Sequence, residues 1–329
     1  MNDIPGKVSP LVTTRSPSPR DNFSMSPTSP PPIGKLIDIG GHRLHIYAAG
    51  EGSPTVVFEA GGGSWSLDWY LVQTEVAKFT GTCSYDRAGF GWSDPGPKPR
   101  TSEQIVKELH TLLTRAEVAR PYVLVGASFG GHTVRLFAKH YPSEVAGMVL
   151  LDARHEALPS RMPPAWRQQE TAGKGLYRFL LLASRLGALN GLGKLMGEKA
   201  APPLVRKLPP EIRPVYLAVG FQPKYFESNL DELAASAESD KQLSAAGSLG
   251  RLPLTVMRHG IPDLFARLPT EQAQSAEQVW QELQAELGRL SSNSRLRVAE
   301  KSGHGLQIDQ PGLVVDAIRH IVEITRVAV

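Results

Sequence analysis

Ser128 lies in Gly126-Ala127-Ser128-Phe129-Gly130, a G-x-S-x-G arrangement directly behind the apolar run Tyr122-Val123-Leu124-Val125. A serine hydroxyl attacks poorly unless a base takes its proton, and histidine, which titrates near neutrality, is the usual base. Of the nine histidines, His304 stands apart. It sits in Lys301-Ser302-Gly303-His304-Gly305, between glycines that let the backbone approach a partner closely. His42, His45, His110, His140 and His320 read as surface or helix-face residues, and His132 falls inside the helix that follows Ser128. The chemistry these types support is acyl transfer by an activated hydroxyl. It needs a third, acidic group to orient the histidine and stabilise its cation.

The elements that must hold these groups are legible from periodicity. Apolar or alternating runs predict eight strands, at 35–39, 43–47, 55–59, 82–85, 122–125, 145–151, 254–257 and 296–299. Gly40-Gly41 between the first two is a hairpin signal. Helical spacing predicts helices at 69–79, 102–116, 130–140 and 312–326, the second capped by Thr101 or Ser102. Strands alternating with helices predict an α/β fold: an eight-stranded, mostly parallel sheet with helices on both faces. Ser128 then falls at a tight turn between strand and helix, where the helix N-terminus favours developing negative charge. About 100 residues of helical pattern separate the sixth and seventh strands, too many for a plain crossover. The expected organisation is a core of residues 33–154 and 251–329 with a helical cap at 155–250. Residues 9–32 hold seven Pro and six Ser among 24, so residues 1–32 read as a disordered tail.

The order serine, acid, histidine on this strand pattern resembles the α/β-hydrolase superfamily, in its esterase-like branch with a single domain and a cap. Glu59-Ala60-Gly61-Gly62-Gly63 resembles that branch's oxyanion loop, with Ala60 where His is usual. Tyr85-Asp86-Arg87-Ala88-Gly89-Phe90-Gly91-Trp92-Ser93 resembles its D-R-x-G-x-G-x-S loop. Ser302-Gly303-His304 with Asp309-Gln310-Pro311 resembles its histidine loop, and Ala127 stands where relatives usually carry His. The resemblance covers residues 34–154 and 251–329 and leaves the cap unmatched. It implies that the amides of Gly62 and Phe129 form the oxyanion hole. For the acid it leaves two candidates. Asp263 fits the H-G-x-x-D pattern after the seventh strand, while Asp152 ends the sixth, in Leu150-Leu151-Asp152-Ala153-Arg154-His155-Glu156. The 41 residues from Asp263 to His304 exceed what compact members have, which speaks for a remodelled excursion and makes Asp152 the preferred acid. Asp86 and Arg87 read as a structural ion pair or loop anchor.

The activity implied is hydrolysis of a carboxylic ester. A C–C bond hydrolase or aminopeptidase on the same triad is an alternative, as is a ligand receptor that keeps the pocket. Ser128 contradicts the nucleophilic aspartate of dehalogenases and epoxide hydrolases. No metal spacing, dinucleotide fingerprint or P-loop is present, so no cofactor is expected. The net charge of +4 without a nucleic-acid motif predicts no nucleic-acid partner. One cysteine and no apolar leader predict a cytoplasmic protein. Residues 154–224 hold twelve Lys or Arg against four Glu, and residues 225–249 five acids against one Lys. The basic part leaves contact with a lipid surface as one expectation, a cap helix packed over the cleft with solvated cations as the other. Trp166, Tyr177, Tyr216, Phe221, Tyr225 and Phe226 are expected to line an apolar substrate pocket.

Overall fold

The structure, a computed structural model, describes residues 32–189, 201–220 and 222–327. The tail expected at 1–32 therefore lies outside the described residues except for Pro32, as does Phe221. Eight strands form one sheet: β1 (Lys35–Asp38), β2 (Arg43–Ala49), β3 (Thr55–Glu59), β4 (Thr82–Tyr85), β5 (Tyr122–Ala127), β6 (Val145–Leu151), β7 (Leu254–His259) and β8 (Ser294–Ala299). Their order is β1-β2-β4-β3-β5-β6-β7-β8. β1–β2 and β2–β4 pair antiparallel, and every other pairing, from β4–β3 to β7–β8, is parallel.

Between and after the strands come α1 (Tyr70–Val76), α2 (Ser102–Arg115), α3 (Gly130–His140), α4 (Leu158–Arg161), α5 (Pro164–Arg185), α6 (Arg213–Gly220), α7 (Pro223–Ala234), α8 (Ser236–Ser244), α9 (Thr270–Gly288), α10 (Leu306–Asp309) and α11 (Pro311–Val327). Alternation along β5 shows how the sheet is sandwiched. Tyr122 and Leu124 enter one core with Leu109, Leu112 and Phe137. Val123, Val125 and Ala127 enter the opposite core with Trp69, Val72, Ile318 and Ile321. Side chains alternate faces with period two, so a strand apolar throughout needs a helix layer on each side.

The expected strands and helices are present, and α9 adds one that the motif reading left as an excursion. Its buried residues Ala276, Trp280, Leu283, Gln284 and Leu287 lie on one helical stripe. The described parts of the segment between β6 and β7 are mostly helical and lock onto the core. Ser102 donates its backbone N–H to Ser239 Oγ at 3.0 Å. Gly220 packs on the Trp65 ring so closely that no Cβ would fit. One face of α5 lines the cavity beside Ser128 through Glu170, Lys174 and Tyr177, while its outer face leaves Leu176, Phe179 and Leu182 exposed at 54, 66 and 57%. No helix among the described residues is long and apolar enough to cross a membrane.

Topology alone gathers the groups of interest. β3, β5 and β6 are hydrogen-bonded neighbours, with Glu59 opposite Gly126 and Ala127 opposite Leu151. Loops leaving the carboxyl ends of these parallel strands therefore converge where the strand order reverses, the usual crevice of an open α/β sheet.

Candidate active site

At Ser128 the chain turns from β5 into α3 with φ of 49°, a left-handed backbone that few non-glycine residues adopt. Such a residue stores roughly 1–3 kcal/mol and persists only where its surroundings over-determine it. Here they do. The Ser128 amide donates to Leu151 O at 3.0 Å, and its carbonyl accepts from the amides of Gly131 and Arg154 at 3.0 and 2.9 Å. Both flanking glycines are required by space. A Cβ on Gly126 would stand 2.8 Å from the carbonyl oxygen of Gly130, and one on Gly130 would stand 2.5 Å from that of Glu59.

His304, in the loop after β8, reaches this turn. Its Nε2 is 3.0 Å from Ser128 Oγ and its Nδ1 is 2.5 Å from Asp152 Oδ2. Asp152 follows β6 and, like Ser128, has a left-handed backbone, φ 43°. The other candidate acid is elsewhere: Asp263 accepts the backbone N–H of His304 through Oδ1 at 3.0 Å, so it holds the loop, not the ring. Four donors surround the buried Asp152 carboxylate. Oδ2 accepts from His304 Nδ1 and from His259 Nδ1, the latter at 2.6 Å, while Oδ1 accepts from Trp280 Nε1 at 2.8 Å and the His259 amide at 3.2 Å. Burial alone would raise the Asp152 carboxyl, but the hydrogen bonds from His259 and His304 override it and hold the group below the usual carboxylate range.

Trp280 comes from α9, and Gln284 one turn on donates to the Ala153 carbonyl at 2.7 Å. The long excursion before His304 is thus a wall for the acid at the end of β6. Neither His259 nor α9 was assigned to the site from the sequence. The stripe of Ala276, Trp280, Leu283 and Leu287 was the available signal for the helix; nothing local pointed to its partner across the sheet. Asp152, His259 and His304 also form the one cluster among the described residues whose ligand atoms lie within 4.8 Å of one another, close enough to share a metal ion. Both ring Nδ1 atoms there bond the same carboxylate oxygen, the pattern expected of two N–H donors.

Gly61 and Gly62 lie against the turn from the β3 side. A Cβ on Gly61 would stand 3.3 Å from Ser128 Cβ, and one on Gly62 3.7 Å from Phe129 Cβ. Neither the Gly62 nor the Phe129 amide is spent on an acceptor among the described residues. Arg87 fixes this loop. Its guanidinium, 1% exposed, donates to the carbonyls of Ala60 and Gly61 at 2.7 and 2.8 Å, to Glu59 at 2.8 Å and to Glu232 of α7 at 2.7 Å. Asp86 does not pair with Arg87. It accepts the amides of Ser66 and Trp92, both at 2.9 Å, and lies 2.9 Å from Nδ1 of His45, which is buried, not on the surface.

Ser128, Gly62 and Phe129 border a cavity of about 530 Å³. Its wall is more charged than the aromatic content of the helical segment implied: Arg154, Glu156, Glu170, Lys174, Glu232 and Asp240 all contribute. Of the five described aromatic residues expected there, Trp166, Tyr177, Tyr216, Tyr225 and Phe226, only Tyr177 lines it. Tyr216 stacks on Trp65 in a separate core, Trp166 packs on Phe265, and Phe226 is buried beside Tyr225.

A model described as the alpha/beta hydrolase family matches residues 56–317, from β3 into α11. The chain is 28% identical over 286 residues to the uncharacterized protein YqjL of Bacillus subtilis (strain 168), covering 86% of this chain and 90% of that one. It is 27% identical over 309 residues to the probable transporter efuK of Hormonema carpetanum, covering 88% of this chain; it spans only 42% of that relative's length. Among solved structures, a thermophilic esterase from Thermogutta terrifontis superposes with a TM-score of 0.57 at 21% identity, over 86% of this chain and 94% of that one. At that identity the likeness is one of fold.

Proposed function

The chain belongs to the alpha/beta hydrolase family, and from that premise we propose that it is a serine hydrolase cleaving a carboxylic ester through an acyl-enzyme intermediate. The observation that carries this reading is the unbroken relay from Ser128 Oγ to His304 Nε2 at 3.0 Å and from His304 Nδ1 to Asp152 Oδ2 at 2.5 Å, with Ser128 at a cavity wall. In it, Ser128 attacks the ester carbonyl while His304 takes the hydroxyl proton. The amides of Gly62 and Phe129 donate to the tetrahedral oxyanion, whose charge they meet without reorganising. His304 returns its proton to the leaving alkoxide, then activates the water that releases the acid. Asp152 keeps the Nδ1–H of His304 pointed inward and offsets the imidazolium charge. The charged wall favours a short or polar ester over a long acyl chain.

A fluorophosphonate probe tests the reading before any substrate is known. The wild type should label and Ser128→Ala should not. A folded wild type that stays unlabelled would sink the hydrolase reading in favour of a ligand-binding role, as would equal labelling of the variant. A panel of p-nitrophenyl esters of graded length, run beside aminoacyl amides, then reads the substrate class; the expected optimum is a short ester.

A further inference from the structure

His259 closes β7 with its side chain 1% exposed and both ring nitrogens engaged. Nδ1 lies 2.6 Å from Asp152 Oδ2 and Nε2 lies 2.9 Å from Glu277 Oε2 on α9. A carboxylate can only accept, so a neutral imidazole would turn a lone pair onto one of the two oxygens. A doubly protonated ring satisfies both. Burial disfavours that charge, but the hydrogen bonds that the ring donates to Asp152 and Glu277 outweigh it and lift His259 to about 10. The remaining charged or titratable neighbours are His304, which shares Oδ2, and Arg258, whose guanidinium donates to the His259 carbonyl at 3.0 Å.

The same residue grips Asp152 at two points. Its amide donates to Oδ1 at 3.2 Å and its ring to Oδ2 at 2.6 Å. Without His259, each oxygen of the carboxylate keeps a single donor, Trp280 on Oδ1 and His304 on Oδ2, and the group is held less firmly about its Cβ–Cγ bond. Held by His259 as well, it presents Oδ2 to His304 in one orientation.

We propose that His259 is a positioning residue of the hydrolytic site, a charged clamp seated on Glu277 that fixes the Asp152 carboxylate in the orientation His304 needs. This rests on the serine-hydrolase reading above. It acts through Asp152 and touches no substrate. Once His259 loses a proton, its ring turns a lone pair onto either Asp152 or Glu277 and is pushed out of register, so the clamp carries its own pH limit on the alkaline side.

The test is the rate of fluorophosphonate labelling of the full chain between pH 7 and 11, with folding followed by circular dichroism. The wild-type rate should fall reversibly near pH 10, while the chain stays folded. His259→Gln keeps a neutral N–H donor that does not titrate. It should label within a few-fold of the wild type at pH 7 and show no fall near pH 10. His259→Ala, which keeps the backbone amide but has no side-chain donor, should lose about ten-fold or more at pH 7, a fall in kcat with KM kept once a substrate is found. The proposal is overturned if the Gln variant keeps the alkaline fall, or if the Ala variant labels at the wild-type rate. Should the Ala variant not fold, the Gln profile decides. Nitrogen-15 NMR of the wild type needs no variant: both His259 ring nitrogens should carry protons at pH 8, and a neutral ring would overturn the clamp. A wild type that never labels removes the hydrolase reading and this inference with it. One that labels, with an unshifted Gln variant, removes the clamp alone.

Discussion

Arg87, in the loop after β4, and Glu232, on α7, meet 2.7 Å apart across the boundary between the sheet and the helical segment over it. The same guanidinium holds the carbonyls behind Gly62. One buried cation therefore ties the proposed oxyanion loop to the roof of the cavity. Arg87→Ala would strand Glu59 and Glu232 together in the interior, and a buried pair broken from one side costs about 3–5 kcal/mol. Thermal or urea unfolding should show that loss, with slower probe labelling in the fraction that stays folded. Arg43→Ala, which breaks a pair with Asp94 about one-third exposed on each side, should cost no more than about 1 kcal/mol by the same measurement.

The two aspartates near His304 separate cleanly by substitution. Asp152→Asn should lower turnover by roughly 10³–10⁴-fold, since an amide stabilises neither the imidazolium nor the right tautomer. Asp263→Asn should stay within about ten-fold of the wild type, because an amide oxygen can still accept the His304 backbone N–H. Steady-state rates of the pair on one ester check this. Equal rates for Asp152→Asn and the wild type would reject Asp152 as the acid.

Gly130→Ala should be more harmful than its size suggests. The added methyl would press on the carbonyl of Glu59 and on that of Ala60, which lies 2.7 Å from its position. Both belong to backbone that cannot swing aside, and overpacking of this kind costs about 1–3 kcal/mol. Melting temperature and probe labelling should fall together, because the displaced backbone leads directly into the glycine loop.

Asp68 offers a test by pH. Burial between the helices near Trp65 raises its carboxyl from 3.8 to about 6. The folded state thus binds a proton more tightly than the unfolded one, so this group's stability is whole below about pH 4 and is lost as pH climbs to about 6. Asp68→Asn removes the titration. Across pH 4 to 7 the stability of the Asn variant relative to the wild type should rise by up to about 3 kcal/mol, read from urea unfolding at each pH. A difference that stays flat would reject the shift.

Much of the fold was written in periodicity. β5 and β6 are apolar on both faces, and a run such as Tyr122 to Ala127 with a glycine-bounded turn behind it admits few other readings. Ser128 and His304 were visible because glycines mark where backbone must turn or approach. Asp152 could only be preferred to Asp263, since both follow strands of the sheet and chain spacing carries no direction in space. α9 showed a helical stripe, yet its role depends on Trp280 reaching a residue 128 positions away. His259 was hidden for the same reason: its meaning comes from Asp152 and Glu277, 107 and 18 positions distant. The aromatics of the helical segment misled because a ring is as useful in a core as in a pocket; Tyr216 and Trp166 went to cores.

Ser128 and Asp152 follow adjacent strands, and their turns are hydrogen-bonded to each other through the Ser128 amide on Leu151 and the Arg154 amide on Ser128. The proposed nucleophile and acid therefore ride as one stiff unit in the middle of the sheet. His304 arrives separately, on a loop behind the edge strand β8, five of whose six residues are less than fully buried. Any partial opening of the molecule starts at such an edge. The relay then disconnects at the histidine while the serine–acid spacing is untouched, and amide hydrogen exchange should be faster across residues 294–305 than across residues 122–128.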